Sequence, residues 1–209
     1  VRSRRQRQMC IRDRADCEDW LERMVGQASL RHVGAVGAKL LYPNSTLIQH
    51  AGVTNTISGP GHKLKGLDDT QSYYYGRNKL VYDMIGVTAA CLLIRTKVYR
   101  ALGGLYEGLR VAYNDVDLCF RLCEKGLCNV QRNDVVLYHH ESLSRGDDMQ
   151  DEGKFKRLME EKDVLYRRHP RLYAQDPYNE QSVIQAHQSM RYAGWRAMNL
   201  QILPVIVMR

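Results

Sequence analysis

The chain has 209 residues, of which 44% are hydrophobic and 26% are charged, a composition typical of a soluble globular protein with one substantial core. Its net charge of +8 comes from the two ends: six Arg and one Asp give residues 1–14 a charge of +5, and three Arg without an acid give residues 183–209 a charge of +3. The residues between them are neutral, which argues against a basic nucleic-acid-binding domain.

The first part of the chain predicts a helix, two strands and a long loop. Residues 1–14 have no apolar period, and we interpret them as a non-native basic segment. The segment DWLERMVGQ (19–27) predicts a helix, VGAVGAKLLYP (33–43) a buried strand, and TLIQHAGVT (46–54) a second strand. Residues 55–80 are rich in glycine, tyrosine and polar side chains, which is typical of a long surface loop.

The second part of the chain alternates between the sequence patterns of strands and helices. The segments VTAACLLIR (87–95) and CNVQRNDVVLYHHE (128–141) predict strands. Helices are predicted over 96–104, 114–126 and 153–169. This alternation of strands and helices predicts an α/β fold with a layered sheet.

Residues 180–209 do not continue the preceding pattern. Their apolar run LQILPVIVM is too short to span a bilayer. We interpret this segment as a tail or linker, so the predicted organisation is 1–14, 15–179 and 180–209, without a transmembrane segment or a targeting signal.

The six cysteines do not form a disulfide or zinc pattern. The sequence has no CxxC pair, and Cys119 and Cys123 lie one turn apart in an apolar helical pattern. Buried free thiols in a reducing compartment are therefore predicted.

Two carboxylates stand at the start of the helix predicted over 114–126. Asn114 can cap this helix, and Asp115 and Asp117 fall in its first turn, where the helix dipole favours acidic side chains. This structural role alone can explain both carboxylates, and a catalytic role depends on what surrounds them.

A second polar cluster, YHHESLSRG (138–146), ends the last predicted strand. Because side chains alternate along a strand, His139 and His140 are expected on opposite faces, so one of them at most faces a given site. Ser144 and Arg145, together with Ser142, supply the donors that a phosphate or diphosphate group requires.

Seven segments occur in an order that resembles the family-2 glycosyltransferases of the GT-A fold, especially bacterial enzymes that build surface polysaccharides. These segments are VGAVGAKLLYP, IQHAGV, GHKLKG, VTAACLLIR, GGLYE, NDVDLCFRL and YHHESLSRG. The resemblance covers residues 19–179 and implies a partial GT-A (Rossmann-like) mixed sheet with flanking helices. The family's N-terminal nucleotide-binding half, with its metal-binding DxD motif, would precede residue 19 and is missing. Tyr106 also departs from the family, which usually has Asp there.

The resemblance implies transfer of a sugar from a nucleotide-diphosphate donor to a hydroxyl of a glycan or lipid-linked acceptor, usually with inversion. It places the general base at Asp115 and leaves Asp117 as a first-turn residue worth about 0.3–1 kcal/mol. A divalent Mg or Mn ion would neutralise the diphosphate, with His139 as a ligand. The implied substrate-binding residues are His62, Lys65, Thr88, Ala89, Asn114, Ser144 and Arg145. Such an enzyme is expected in the cytoplasm, at the inner face of the cell membrane.

Two other function classes compete with this interpretation. A carbohydrate-binding or scaffolding protein could keep the fold and lose the donor site. A nucleic-acid-binding protein has little support once the charges of the two ends are set aside. An upstream strand ending in DxD would favour the enzyme.

Overall fold

A five-stranded mixed sheet with helices on both faces forms the centre of the fold, in a computed structural model that describes residues 18–56, 59–140 and 152–178. In chain order the elements are α1 (Trp20–Ala28), β1 (Val33–Leu41), β2 (Ile48–His50), β3 (Val53–Thr56), β4 (Gly59–His62), β5 (Val81–Met84), β6 (Leu92–Ile94), α2 (Thr96–Ala101), α3 (Asn114–Glu124), β7 (Cys128–Tyr138), α4 (Glu152–Arg168) and α5 (Pro170–Ala174). The predicted mixed α/β class with flanking helices is confirmed.

Strand β1 organises the sheet. It pairs in parallel with β7 from Val33, opposite Cys128, to Leu41, opposite Tyr138. On the far side of β7 lies antiparallel β5, while β2 and β6 are antiparallel to the other edge of β1. Strands β3 and β4 form a separate antiparallel hairpin. Every residue of β1 is buried, which accounts for its apolar run VGAVGAKLL.

Strand β1 packs against helices through both faces. One cluster joins it to α1 and β7, and a second joins it to α3. The first contains Met24, Ala28, Val36, Ala38 and Leu40, and the second contains Ala35, Val87, Cys119 and Leu122. The start of α3 is thereby held beside the sheet.

The strand predicted over 46–54 is interrupted in the structure. Gly52 has φ +103°, and a Cβ at this position would lie 2.7 Å from Cε of Met84. This backbone conformation and this close approach both require glycine. The chain turns here, so β2 joins the sheet and β3 joins the hairpin.

The prediction of a surface loop over 55–80 is wrong for much of this segment. It contains β4, and it buries Leu64, Asn78 and Asp69. The carboxylate of Asp69 lies 2.8 Å from Nζ of Lys39, which is buried in β1. The loop folds inward because a buried ammonium group needs a counter-ion.

The strand predicted over 87–95 is short. Within this segment β6 pairs with β1, and a 3-10 turn at Ala89–Cys91 precedes it. The hydroxyl of Thr88 accepts a hydrogen bond from Ala90 N–H at 3.3 Å, which stabilises this turn. Strand β5 and helix α5 were not predicted. Tyr113, with φ 59°, rather than Asn114, occupies the cap position of α3.

The described cysteines are free thiols as predicted, but only Cys119 is buried, and the other three are partly exposed. Cys91, Cys119, Cys123 and Cys128 are free thiols, and Cys119 is fully buried in α3. Burial raises the pKa of Cys123 to about 12, and it raises the pKa of Cys119 further in the same direction. Neither thiol is ionised near neutral pH, so both behave as small apolar side chains.

A buried ion network connects α3 to the junction of α4 and α5. The carboxylate of Asp117 is fully buried and lies 2.8 Å from Arg121, 2.7 Å from Arg168 and 2.9 Å from Nε2 of His169. Nδ1 of His169 lies 2.8 Å from Glu124. Both imidazole nitrogens therefore face carboxylates, the environment of a protonated histidine.

The network changes the pKa values of Asp117 and His169 so that the charged form of each group is favoured. Burial opposes the ionisation of Asp117, but hydrogen bonds from His169 and Arg168 and the charge of Arg121 outweigh it and lower its pKa to about 2. Burial likewise opposes protonation of His169, and its bonds to Asp117 and Glu124 outweigh that effect and raise its pKa. The free energy of unfolding therefore depends on pH through the protonation of both Asp117 and His169.

We expect the network to stabilise the fold most between about pH 4 and 6.5, the ordinary pKa values of the two groups being 3.8 and 6.5. As the pH falls towards 2, Asp117 is protonated and its contribution is lost. As the pH rises through the raised pKa of His169, the folded state loses its more tightly bound proton and that contribution is lost as well. Urea denaturation across this range measures both losses. His169→Gln should remove the alkaline loss, whereas His140→Gln, at an exposed histidine, should leave it; equal alkaline slopes in both variants would contradict the assignment.

Candidate active site

A cavity of about 320 Å³ opens between the start of α3, the β3–β4 hairpin and the turn before β6. It is lined by Val53, Pro60, Gly61, His62, Thr88, Val111, Ala112, Tyr113, Asp115, Val116 and Leu158. Three of the residues predicted for the site, namely His62, Thr88 and Asp115, therefore line one cavity, although they come from three separate segments.

Asp115 is the carboxylate in the cavity wall. Its Oδ2 accepts a hydrogen bond from Ala89 N–H at 2.9 Å, and its Oδ1 accepts one from Val116 N–H at 2.9 Å. Ala89 therefore contributes through its backbone, in the turn that Thr88 stabilises. An oriented carboxylate in a cavity can accept a proton from a hydroxyl group bound there.

Asp117 has a different environment from Asp115, although both lie in the first turn of α3. Its two oxygens contact Arg121, Arg168 and His169, and its side chain has no exposed surface. These contacts do not reach the cavity and join three elements, so Asp117 is a structural residue. Its expected contribution exceeds the 0.3–1 kcal/mol of a first-turn carboxylate.

The cavity wall beside Asp115 is held by a residue that the sequence analysis missed. The buried carboxylate of Glu161 in α4 accepts hydrogen bonds from the backbone N–H groups of Arg110, Val111 and Ala112, at 3.2, 3.4 and 2.5 Å. Consecutive N–H groups that converge on one anion make a strong anchor. The only sequence signal is an acid in a charged helix, which does not indicate this partner.

Glu161→Gln is expected to lower the free energy of unfolding by about 1–3 kcal/mol, because an amide keeps one accepting oxygen and leaves at least one partly buried N–H unpaired. The loss of stability should be concentrated in the segment that contains residues 110–112. Hydrogen exchange should show faster exchange of the amides at 110–112, measured against Glu160→Gln at the exposed neighbour. Unchanged exchange at 110–112 in Glu161→Gln would contradict the anchoring role.

The remaining predicted site residues either do not line this cavity or lie outside the described residues. Lys65 and Asn114 are not among the described residues that line the cavity. His139 is buried at the end of β7, while His140 is exposed. Ser144 and Arg145 lie outside the described residues.

His139 is held by Gln49 of β2. Its Nδ1 lies 2.7 Å from Oε1 of Gln49, so Nδ1 carries the hydrogen and Nε2 is the nitrogen that could bind a metal ion. Within the described ranges, no group of three His, Cys, Asp or Glu side chains could hold a metal. The residues present therefore supply one candidate ligand and not a complete metal site.

The fold and the cavity define a mixed α/β protein with an oriented carboxylate at a helix start. In the described part of the chain, no helix has both the length and the apolar character needed to cross a membrane. No protein-family model matches the chain, and no solved structure matches it significantly.

Two curated proteins are similar to this chain. The uncharacterized protein y4gI of Sinorhizobium fredii is 44% identical over 154 residues, which are 72% of this chain and 16% of that protein. The O-antigen biosynthesis protein RfbC of Myxococcus xanthus is 41% identical over 128 residues, which are 60% of this chain and 10% of that protein. The chain thus spans a small part of the length of each relative.

Proposed function

We propose that this chain forms the acceptor side of a glycosyltransferase that acts in the biosynthesis of a surface polysaccharide, at the cytoplasmic face of the membrane. The observation that carries the proposal is the position of Asp115, oriented by two backbone N–H groups in a cavity that His62 and Thr88 also line. The similarity to RfbC, an O-antigen biosynthesis protein, supports the polysaccharide class. The sheet and its helices are compatible with part of a GT-A domain.

In the proposed reaction, an acceptor hydroxyl lies in the cavity beside Asp115. Its oxygen attacks the anomeric carbon of a nucleotide-diphosphate sugar as its proton passes to the carboxylate. The new C–O bond forms on the face opposite the bond to the diphosphate, which breaks and leaves its electron pair on the diphosphate oxygen. The configuration is inverted, and the two backbone donors keep the carboxylate aimed throughout.

A divalent Mg or Mn ion belongs to this proposal as the group that would neutralise the diphosphate. His139 would bind it through Nε2. The described residues do not complete its coordination, so the further ligands would come from elsewhere, and no step above depends on the ion.

The test is a transfer assay of the longest natural reading frame that contains this chain, with a panel of nucleotide-diphosphate sugars and bacterial glycan or lipid-linked acceptors. We expect release of nucleoside diphosphate with formation of a glycosylated product, lost with a chelator and restored by Mg or Mn. The 209-residue chain alone should give no turnover, because in this proposal it supplies the acceptor side and not a complete donor site. Glycan binding without transfer by the longer protein would instead support the non-catalytic carbohydrate-binding protein.

A further inference from the structure

Two histidines from different strands meet at the edge of the cavity. His50 ends β2 and is 1% exposed, whereas His62 ends β4, is exposed and lines the cavity. Their Nδ1 atoms are 2.6 Å apart, and the rings are nearly perpendicular, with centroids 4.9 Å apart. Two nitrogens at this distance share one hydrogen, so one of them donates and the other accepts.

The direction of this hydrogen bond follows from a third group. The backbone N–H of Gly52 donates to Nε2 of His50 at 3.1 Å, and a backbone N–H cannot accept. Nε2 of His50 therefore carries no hydrogen, and the neutral ring carries it on Nδ1. His50 donates to Nδ1 of His62, so neutral His62 carries its own hydrogen on Nε2.

The environment of His50 keeps it neutral. Protonation would put a second N–H against the N–H of Gly52. Burial, which has the largest effect, and the neighbouring His62 lower the pKa of His50 well below its ordinary value, and they outweigh a side-chain hydrogen bond with Gln131 that acts in the opposite direction.

The backbone holds Gly52 in place beside His50. Gly52 has the positive φ described above, and its carbonyl accepts a hydrogen bond from Lys63 N–H at 2.8 Å. His62 is thereby placed opposite Val53, another residue of the cavity wall.

We infer that His50 is a positioning residue for the cavity: it holds His62 in the tautomer with hydrogen on Nε2, the form in which a neutral imidazole donates a hydrogen bond to an acceptor-sugar hydroxyl oxygen. The second part of this inference rests on the proposed function. The first part concerns only the proton position, and it is tested without turnover.

The tautomer can be read by NMR of the 209-residue chain labelled with 15N-histidine. Long-range 1H–15N spectra distinguish a protonated from an unprotonated ring nitrogen, and we expect His62 to be protonated on Nε2 with Nδ1 as an acceptor. A wild-type His62 protonated on Nδ1 would overturn the inference, whether or not any variant folds.

Two substitutions at one position provide the matched comparison. His50→Asn keeps an N–H donor near the place of Nδ1, whereas His50→Phe keeps the ring and removes the donor. Both lose the bond from Gly52 N–H, so their difference isolates the bond to His62. His62 should keep the Nε2–H form in the Asn variant, and the share of its Nδ1–H form should rise in the Phe variant. A single Nε2–H form in both would overturn the role of His50.

The functional part is measured in the longer protein used for the transfer assay. His50→Phe should raise KM for the acceptor by roughly 2–10-fold, the worth of one neutral hydrogen bond, with KM for the donor unchanged and with His50→Asn close to wild type. An unchanged acceptor KM in a Phe variant whose His62 tautomer has changed would overturn this part. Absence of transfer by the wild type would overturn the proposed function and leave the NMR result standing.

Discussion

Asp115→Asn is expected to lower the rate of sugar transfer by about 10²–10⁴-fold, the usual worth of a general base. Asparagine has nearly the shape of aspartate, and its oxygen can still accept from one of the two N–H donors, Ala89 or Val116. It cannot take a proton from a hydroxyl. The measurement is kcat for transfer by the longer protein, together with KM for the donor and the melting temperature, both of which should change little.

The comparison with Asp117→Asn makes this prediction specific, because both substitutions remove one charge from the same helical turn. If Asp117→Asn abolishes transfer in a folded protein and Asp115→Asn only lowers the melting temperature, the two roles are reversed. If neither substitution affects transfer, Asp115 serves only the start of α3 and the general base lies elsewhere.

Asp117→Asn is expected to lower the free energy of unfolding by about 3–5 kcal/mol, the cost of removing one partner from a buried ion pair. The lost carboxylate is the shared partner of Arg121, Arg168 and His169, so cationic groups at the junction of three elements would be left without their main counter-ion. Arg121 also donates to the carbonyl groups of Leu102 and Gly104, which extends the effect to the segment after α2. Urea denaturation near pH 6 measures the change.

Glu22→Gln is the control for this prediction, since Glu22 is an exposed acid in the first turn of α1 and has only the helix-end role that the sequence suggested for Asp117. Its effect should be several times smaller. Equal effects of Glu22→Gln and Asp117→Asn would show that the buried network adds nothing beyond the helix dipole.

Much of the fold was predictable because the signals are local. The apolar run of β1, the helical period of α3 and the Pro170 that follows α4 depend on neighbouring residues, and these elements agree with their predictions within a few residues. The sequence predictions are wrong where the structure of a segment depends on contacts with residues that are distant in the chain. The segment 55–80 folds inward to meet Lys39, and the 46–54 strand divides at a glycine that packs against Met84.

The candidate site likewise contains some residues that were predicted from the sequence and others that were not. The resemblance to the family-2 glycosyltransferases pointed to Asp115, His62 and Thr88, and the structure places these three around one cavity. The sequence does not indicate Glu161, which contacts Ala112 across 49 positions, or the contact between His50 and His62. Neither contact leaves a periodic pattern, because each joins two segments that are not neighbours in the chain.

By itself, the sequence determined the α/β class, the free thiols, the neutral central domain and the presence of two carboxylates at the start of one helix. Only the tertiary structure decided which carboxylate faces the cavity. Residues two apart on a helix do not share a face, so one of the pair had to point away from any site that the other lines. The partners of Asp117 lie up to 52 positions away, on α4 and at the start of α5, and the packing of those elements on α3 turned Asp117 inward and left Asp115 at the cavity.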